Sequence, residues 1–239
     1  MFIESYDQEL EKNSQIKNLF KTGTSENFGD YFAEMTPMNG FYPTGDLGAV
    51  PRDSMEEGYG KLLRYVTFSD SFAIAQSMIE DTKTMDLTEQ PRAFMDGYHD
   101  TRELFAASIF GAAMNGKKSF TFRGMEFDAT AADGAPLFHT AHKAKYKGSD
   151  QSNCFSDAFS VEALDMAEAA MQQFKLEKDK QLNIAPDTIV IANKPNLKRK
   201  VFAAIGSDID PVESTHAFNY QYGRWNVIIW PYLNRFIKN

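Results

Sequence analysis

The strongest run of helix-period apolar positions lies between Leu87 and Asn115. Phe94, Tyr98, Phe105, Ile109 and Ala113 recur at spacings of four and seven, with Leu104 and Ala112 beside them. Asp100, Arg102 and Glu103 occupy much of the opposite side. Thr88 suits the cap position and Pro91 the first turn, where no backbone N–H is needed. Asn115-Gly116 is a stop, because glycine takes the left-handed conformation that ends helices. The pattern predicts one helix of about 40 Å. Two readings follow: a core helix of a globular domain, or the backbone helix of an extended, assembling subunit.

The first fifty residues carry little period. Ile16, Leu19 and Phe20 share one side of a short helix, and turn-formers follow: Thr22 to Ser25, Pro37, Asn39-Gly40, Pro43 to Gly45 and Gly48. Aromatics are scattered among them: Phe28, Tyr31, Phe32, Phe41 and Tyr42. So long an unpatterned stretch is unusual inside a domain, and this one is too aromatic for a disordered tail. It is either an arm that lies on another surface or a loop-rich cap on its own core. Residues 56–75 read as a two-stranded ribbon. Leu62, Val66 and Phe68 alternate on one face, Leu63 and Tyr65 on the other, Ser69 to Ser71 turn the chain, and Phe72 to Ala75 return. Apolar groups on both faces need cover on both, since an isolated hairpin is marginal in water.

Past the long helix, residues 118–128 form a hairpin turning at Arg123-Gly124. Ser160 caps a second helix with Leu164, Ala167, Met171 and Phe174 as its stripe. Ile184 to Ala192 is a buried strand. Asn193 caps a third helix with Leu197, Val201 and Ile205, which Gly206 ends, and Arg224 to Trp230 is the last strand. The second half is thus a small α+β or α/β layer.

Composition sharpens this. Twenty phenylalanines in 239 residues suit a chain that buries broad surfaces, in its own core or against neighbours. A net charge of −8 disfavours sequence-independent nucleic-acid binding, and the basic clusters (Lys117-Lys118, Lys143 to Lys147, Lys198 to Lys200) are short. The single cysteine, Cys154, excludes an intrachain disulfide. No apolar run approaches the roughly 18 residues of a membrane span. The acidic start MFIESYDQELEKN is unlike a signal peptide, so synthesis in a reducing cytoplasm is expected.

Chemistry is sparse. There is no GxGxxG, no GxxxxGK[ST] and no GxSxG. Cys154 lies in a polar loop without a basic neighbour to activate it. His139 and His142, three apart in DGAPLFHTAH, invite a metal reading, with Asp133, His99 and His216 as further ligands. Loop histidines held by backbone hydrogen bonds are the simpler reading. No catalytic residue, metal ligand or cofactor is assigned.

DGAPLFHTAH with Ser152-Asn153 resembles a loop of major capsid (major head) proteins of tailed bacteriophages, the Mu-like and prophage head subunits in particular. GYGKLLRYVTFSDSFAIAQSMIEDTK resembles that family's extended loop, and Leu87 to Asn115 its spine helix. The Ser160 helix and APDTIVIANKPNLKRKVFAAIGS resemble its axial domain, so that the likeness runs over roughly residues 15–233. The resemblance implies an α+β Hong Kong 97-type capsid fold. Its parts would be an N-terminal arm (1–50), an extended loop (51–80), a peripheral domain with a spine helix at about 88–115 (81–150), and an axial domain (151–239) lacking its C-terminal strands. It also implies a structural protein, not an enzyme, that is made in the bacterial host cytoplasm and resides in the virion. Such a subunit assembles with itself into the hexamers and pentamers of an icosahedral shell, with a separate scaffolding protein. The shell encloses double-stranded DNA without sequence-specific contacts, and no membrane takes part. The subunit-interface candidates are Phe28, Tyr31, Phe32, Phe41, Tyr42, Leu62, Leu63, Tyr65, Val66, Phe68 and Phe72. The alternatives are an encapsulin-like nanocompartment shell, a metal-dependent hydrolase using His139 and His142, and a monomeric binding module with a concave aromatic pocket.

Overall fold

The computed structural model describes residues 2–46, 48–73, 76–80, 89–209 and 218–237. Helices α1 (Phe2–Asn13) and α2 (Ile16–Leu19) open the chain. Strands β1 (Gly29–Met35) and β2 (Glu57–Arg64), the short helix α3 (Gln76–Glu80) and the long helix α4 (Glu89–Met114) follow. Then come β3 (Ser119–Phe122), β4 (Met125–Asp128), α5 (Val161–Gln172), β5 (Thr188–Ala192), α6 (Pro195–Ile205) and β6 (Asn226–Trp230), with a closing 3-10 turn at Pro231–Arg235.

Helix α4 is the expected rod, with Pro91 in its first turn; the expected cap, Thr88, lies outside the described residues. Its end is a Schellman arrangement. Gly116 is left-handed (φ 62°), Lys117 N–H reaches Ala112 O (2.9 Å) and Gly116 N–H reaches Ala113 O (3.0 Å). Its burial departs from the simple stripe, because α4 is covered on two sides. Phe94 and Phe105 face one way, where Phe72 packs on Phe94, and Phe68, Phe120, Phe122 and Phe127 gather on Phe105. His99, Glu103, Ala106 and Ala107 are buried the other way, whereas Tyr98 is exposed. Glu103, which the pattern puts on the polar side, is a buried residue of the fold.

Parallel strands β5 and β6 pair from Thr188↔Asn226 to Ala192↔Trp230, and their faces bury in opposite directions. Ala192 and Trp230 pack with Ala106 and Ala107 of α4, joined by Phe20 and Phe110. Ile191 packs with Leu164 of α5 and Val201, Ala204 and Ile205 of α6. The sheet therefore sits between the long helix and two short ones, as an apolar run such as Ile189-Val190-Ile191 requires. Each large side chain so buried stabilises by roughly 1.5–3 kcal/mol. Ser160 caps α5 as expected, its hydroxyl accepting from Ala163 N–H (3.1 Å). The cap position of α6 is Lys194 rather than Asn193, with no side-chain bond.

Two expectations fail at the front of the chain. First, α1 is a helix where no period is evident. It lies on α4 through polar pairs: Tyr6 hydroxyl to Asp96 (2.6 Å), Asp7 to His99 (2.7 Å), and Glu11 to Arg102. Ser14 and Gln15 then bond Glu103, and Phe20 enters the core against Phe110 and Trp230. Residues 6–20 thus cap their own body, the second of the two readings open for the first fifty residues. Second, β2 pairs not with Phe72 to Ala75 but with β1, antiparallel, Tyr31 opposite Leu62 and Phe32 opposite Lys61. Ser69 to Ser71 do not close a hairpin. Phe68 and Phe72 instead rest on α4 and the β3–β4 hairpin, and Ile74-Ala75 lie outside the described residues.

Candidate assembly surface

The β1–β2 ribbon projects apolar groups on both faces. Cross-strand partners share a face, so Tyr31 and Leu62 lie on one side, and Phe32, with Leu63 and Tyr65 along β2, on the other. All are exposed. From Lys21 to Glu57 every described residue is exposed except Gly29, Asp30, Thr36 and Pro37. Phe41 protrudes completely, at 108% of its reference surface, and Phe28 is 76% exposed. All eleven interface candidates are at least 38% exposed. Phe68 and Phe72 differ from the rest in also having aromatic partners within the chain.

Polar contacts fix where this ribbon points. Lys61 Nζ pairs with Asp128 (3.0 Å) and donates to Thr130 O, tying β2 to the end of β4. Lys145 Nζ donates to the carbonyls of Gly58 (2.7 Å) and Glu57 (3.0 Å), and the Tyr146 hydroxyl to Glu57 O (2.9 Å). Nearer the tip, Lys178 reaches Ser54 O (3.2 Å), and Asn39 Nδ2 reaches Asp53 (2.8 Å). Thr36, fully buried, exchanges two hydrogen bonds with Glu56. The Tyr65 hydroxyl donates to Asp30 (2.5 Å), holding that carboxyl below its ordinary range with help from Asn27 and Ser25. The ribbon is therefore anchored by its backbone while its greasy side chains stay outside. The anchors are not legible in the sequence, since Lys61, Lys145 and Lys178 look like ordinary solvated cations.

The solvent-accessible surface is 17113 Å² for 27.0 kDa, whereas a compact monomer of that mass exposes about 10,800 Å². The difference, roughly 6,000 Å², exceeds what a subunit contributes to several standard interfaces, about 800 Å² each.

The histidine loop holds its two rings by hydrogen bonds within the chain. His142 Nδ1 meets Asp133 (2.8 Å) and its Nε2 meets Asn153 Oδ1 (3.2 Å), so both ring nitrogens are engaged. His139 Nδ1 accepts from Ala141 N–H (3.2 Å). Burial raises the pKa of Asp133, but the Ala135 N–H and the His142 ring outweigh it, and the carboxyl ends below its ordinary value. His99 is bound to Asp7 on α1, and His216 lies outside the described residues. Among the described residues no group of three or more metal-ligating side chains converges, and no helix is long and apolar enough to cross a membrane.

No protein-family model matches the chain, and no curated protein matches it. In three dimensions it is similar to a chain of the capsid of bacteriophage JBD30 decorated with minor capsid protein trimers. The TM-score is 0.65 at 13% identity, over 95% of this chain and 93% of that one. Its mixed helix and sheet architecture is thus a fold found in a bacteriophage capsid.

Proposed function

We propose that the chain is a major capsid subunit of Hong Kong 97 type, from a Mu-like phage or prophage head. The observation that carries this is the surplus of exposed apolar surface on an anchored ribbon, in a chain whose fold matches a capsid chain over nearly its whole length. A side chain such as Phe41, wholly in water, gains its roughly 1.5–3 kcal/mol only when another copy covers it. Many weak contacts of this kind add up to a strong shell. In this reading residues 1–50 are the arm, which lends β1 to the ribbon, 51–80 the extended loop, which supplies β2, 81–150 the peripheral domain and 151–239 the axial domain. The part of the arm free to reach a neighbour begins at Lys21. Copies associate as hexamers and pentamers of an icosahedral shell, with a separate scaffolding protein, and enclose double-stranded DNA. A wall of net charge −8 holds that DNA without gripping it. The subunit is made in the host cytoplasm and ends in the virion. No observation favours the nanocompartment, the hydrolase or the monomeric binding module.

The test is sedimentation velocity and electron microscopy of the full chain at tens of micromolar, alone and with the head-gene scaffold. Closed particles are expected, and a stable monomer under both conditions overturns the reading. Nuclease-protected DNA inside particles from infected cells, rather than a protein cargo, separates a head from a nanocompartment.

A further inference from the structure

Helices α5 and α6 carry opposite charge. Helix α5 has Glu162, Asp165 and Glu168 and no lysine or arginine, whereas α6 has Lys198, Arg199 and Lys200 and no acid. Arg224 neutralises Glu168 (2.6 Å), but among the described residues only neutral donors, Tyr220 and Gln221, meet Asp165. Among the described residues Lys198, Arg199 and Lys200 have no ion-pair partner.

Each helix also has an unfilled apolar feature. Between α5 and β5 runs an open groove of about 340 Å³, lined by Phe155, Met166, Met171, Ile189 and Trp225, with Asp157 in its wall. Its two methionines make it adaptable. On α6, Phe202 is 47% exposed although Val201 beside it is completely buried. It stands one turn from Lys198 and Arg199, on the same side of the helix. Both helices pack on one face of the β5–β6 sheet, yet Phe202 does not fill the groove of its own chain.

We propose that α6 of one copy docks into the α5–β5 groove of a second copy. Phe202 enters among Met166, Met171 and Trp225, and Lys198 and Arg199 face Asp157, Glu162 and Asp165. This rests on the subunit reading above, which supplies the second copy; the choice of surfaces rests on complementary charge and a fitting apolar plug. The two patches are different, so the contact is head-to-tail and propagates, closing into rings where the rotation permits. A like-with-like contact would stop at a dimer.

The test uses the full chain under conditions where it associates. A Cys154→Ser background removes the single cysteine, and Ala163→Cys and Ala203→Cys are introduced together, leaving Phe202 in place. Mild oxidation is expected to give a ladder of dimers, trimers and larger species, with each single variant remaining uncrosslinked. A dimer from Ala203→Cys alone overturns the proposal. Assembled particles without crosslinks overturn it too while leaving the subunit reading standing, and a chain that never associates removes both. Phe202→Asp weakens association by roughly tenfold or more, as loss of one buried aromatic anchor does; unchanged association overturns the proposal. Reversing Lys198 and Arg199 to Glu weakens association likewise, and adding Asp157→Lys and Glu162→Lys in the same chain restores it. Absence of rescue overturns the charge pairing.

Discussion

Glu103 holds three parts of the chain at one carboxylate. Oε1 accepts from the Ser14 hydroxyl (2.6 Å) and Gln15 N–H (3.0 Å), and Oε2 accepts from Trp230 Nε1 (2.7 Å). Removing a buried acceptor leaves its donors unpaired, at about 1–3 kcal/mol each. Glu103→Leu is therefore expected to destabilise by about 3 kcal/mol or more, read as a shift in urea midpoint at constant m-value. Two glycines of α4 make an opposite pair. At Gly111 an added Cβ falls within the ring of Phe236, whereas at Gly97 nothing lies within 4 Å. Gly97→Ala is expected to stabilise by about 0.5–1 kcal/mol through helix propensity. Gly111→Ala must expel Phe236 and destabilises by about 1–3 kcal/mol. Thermal unfolding of the two variants checks the signs; equal shifts would mean Phe236 is not seated there. None of this is legible from the residue types, since the partners of Glu103 and Gly111 are distant in sequence.

At the scale of elements, what was legible is what local chemistry determines. Helix α4 has period and a glycine stop, and α5 has its serine cap. The β3–β4 hairpin has Arg123-Gly124, both at positive φ, in its two-residue turn. The pairing of β1 with β2 was not legible, because the partner lies across residues 36–56 rather than next door. Helix α1 was missed because its docking is polar, and Asp7 and Glu11 look like solvated acids until His99 and Arg102 meet them. That chemistry makes α1 acid-sensitive. The Lys17 ammonium (2.7 Å) and then the Arg102 guanidinium hold Glu11 at about 2, below its ordinary 4.5. A carboxyl lowered by folding adds stability that is complete above about 4.5 and is lost as pH falls towards about 2. Amide-exchange protection of α1, taken relative to the intrinsic rate at each pH, is expected to fall across that window. Glu11→Gln should make α1 exchange faster at neutral pH and remove the Glu11 share of its pH dependence. Glu168, lowered mainly by Arg224, titrates in acid as well, so the readout must be residue by residue. An α1 equally protected at pH 2 and pH 7 would count against the ion pairs as its fastening.

At the scale of the molecule, the surface that drives assembly must be separable from the interior that drives folding. Deleting residues 1–50 cannot separate them, because it removes β1 and the contacts of Ser14, Gln15 and Phe20 along with the exposed segment. Substitution on one ribbon face does. Phe28, Phe32 and Leu63 share that face, since Tyr65 N–H bonds Phe28 O (3.0 Å) and Asp30 lies opposite Leu63. All three are already exposed, and changing them to Ser removes no core contact. Stability should therefore move by no more than about 1 kcal/mol for each substitution, the span of strand propensity. Assembly should fail, because the lost area is what a neighbour has to cover. The triple variant is expected to sediment as a folded monomer where the parent forms large species, with the same far-ultraviolet dichroism and a cooperative unfolding transition. A loss of several kcal/mol with assembly retained would mean that the ribbon packs within its own subunit. The excess surface would then need another explanation than contact between copies.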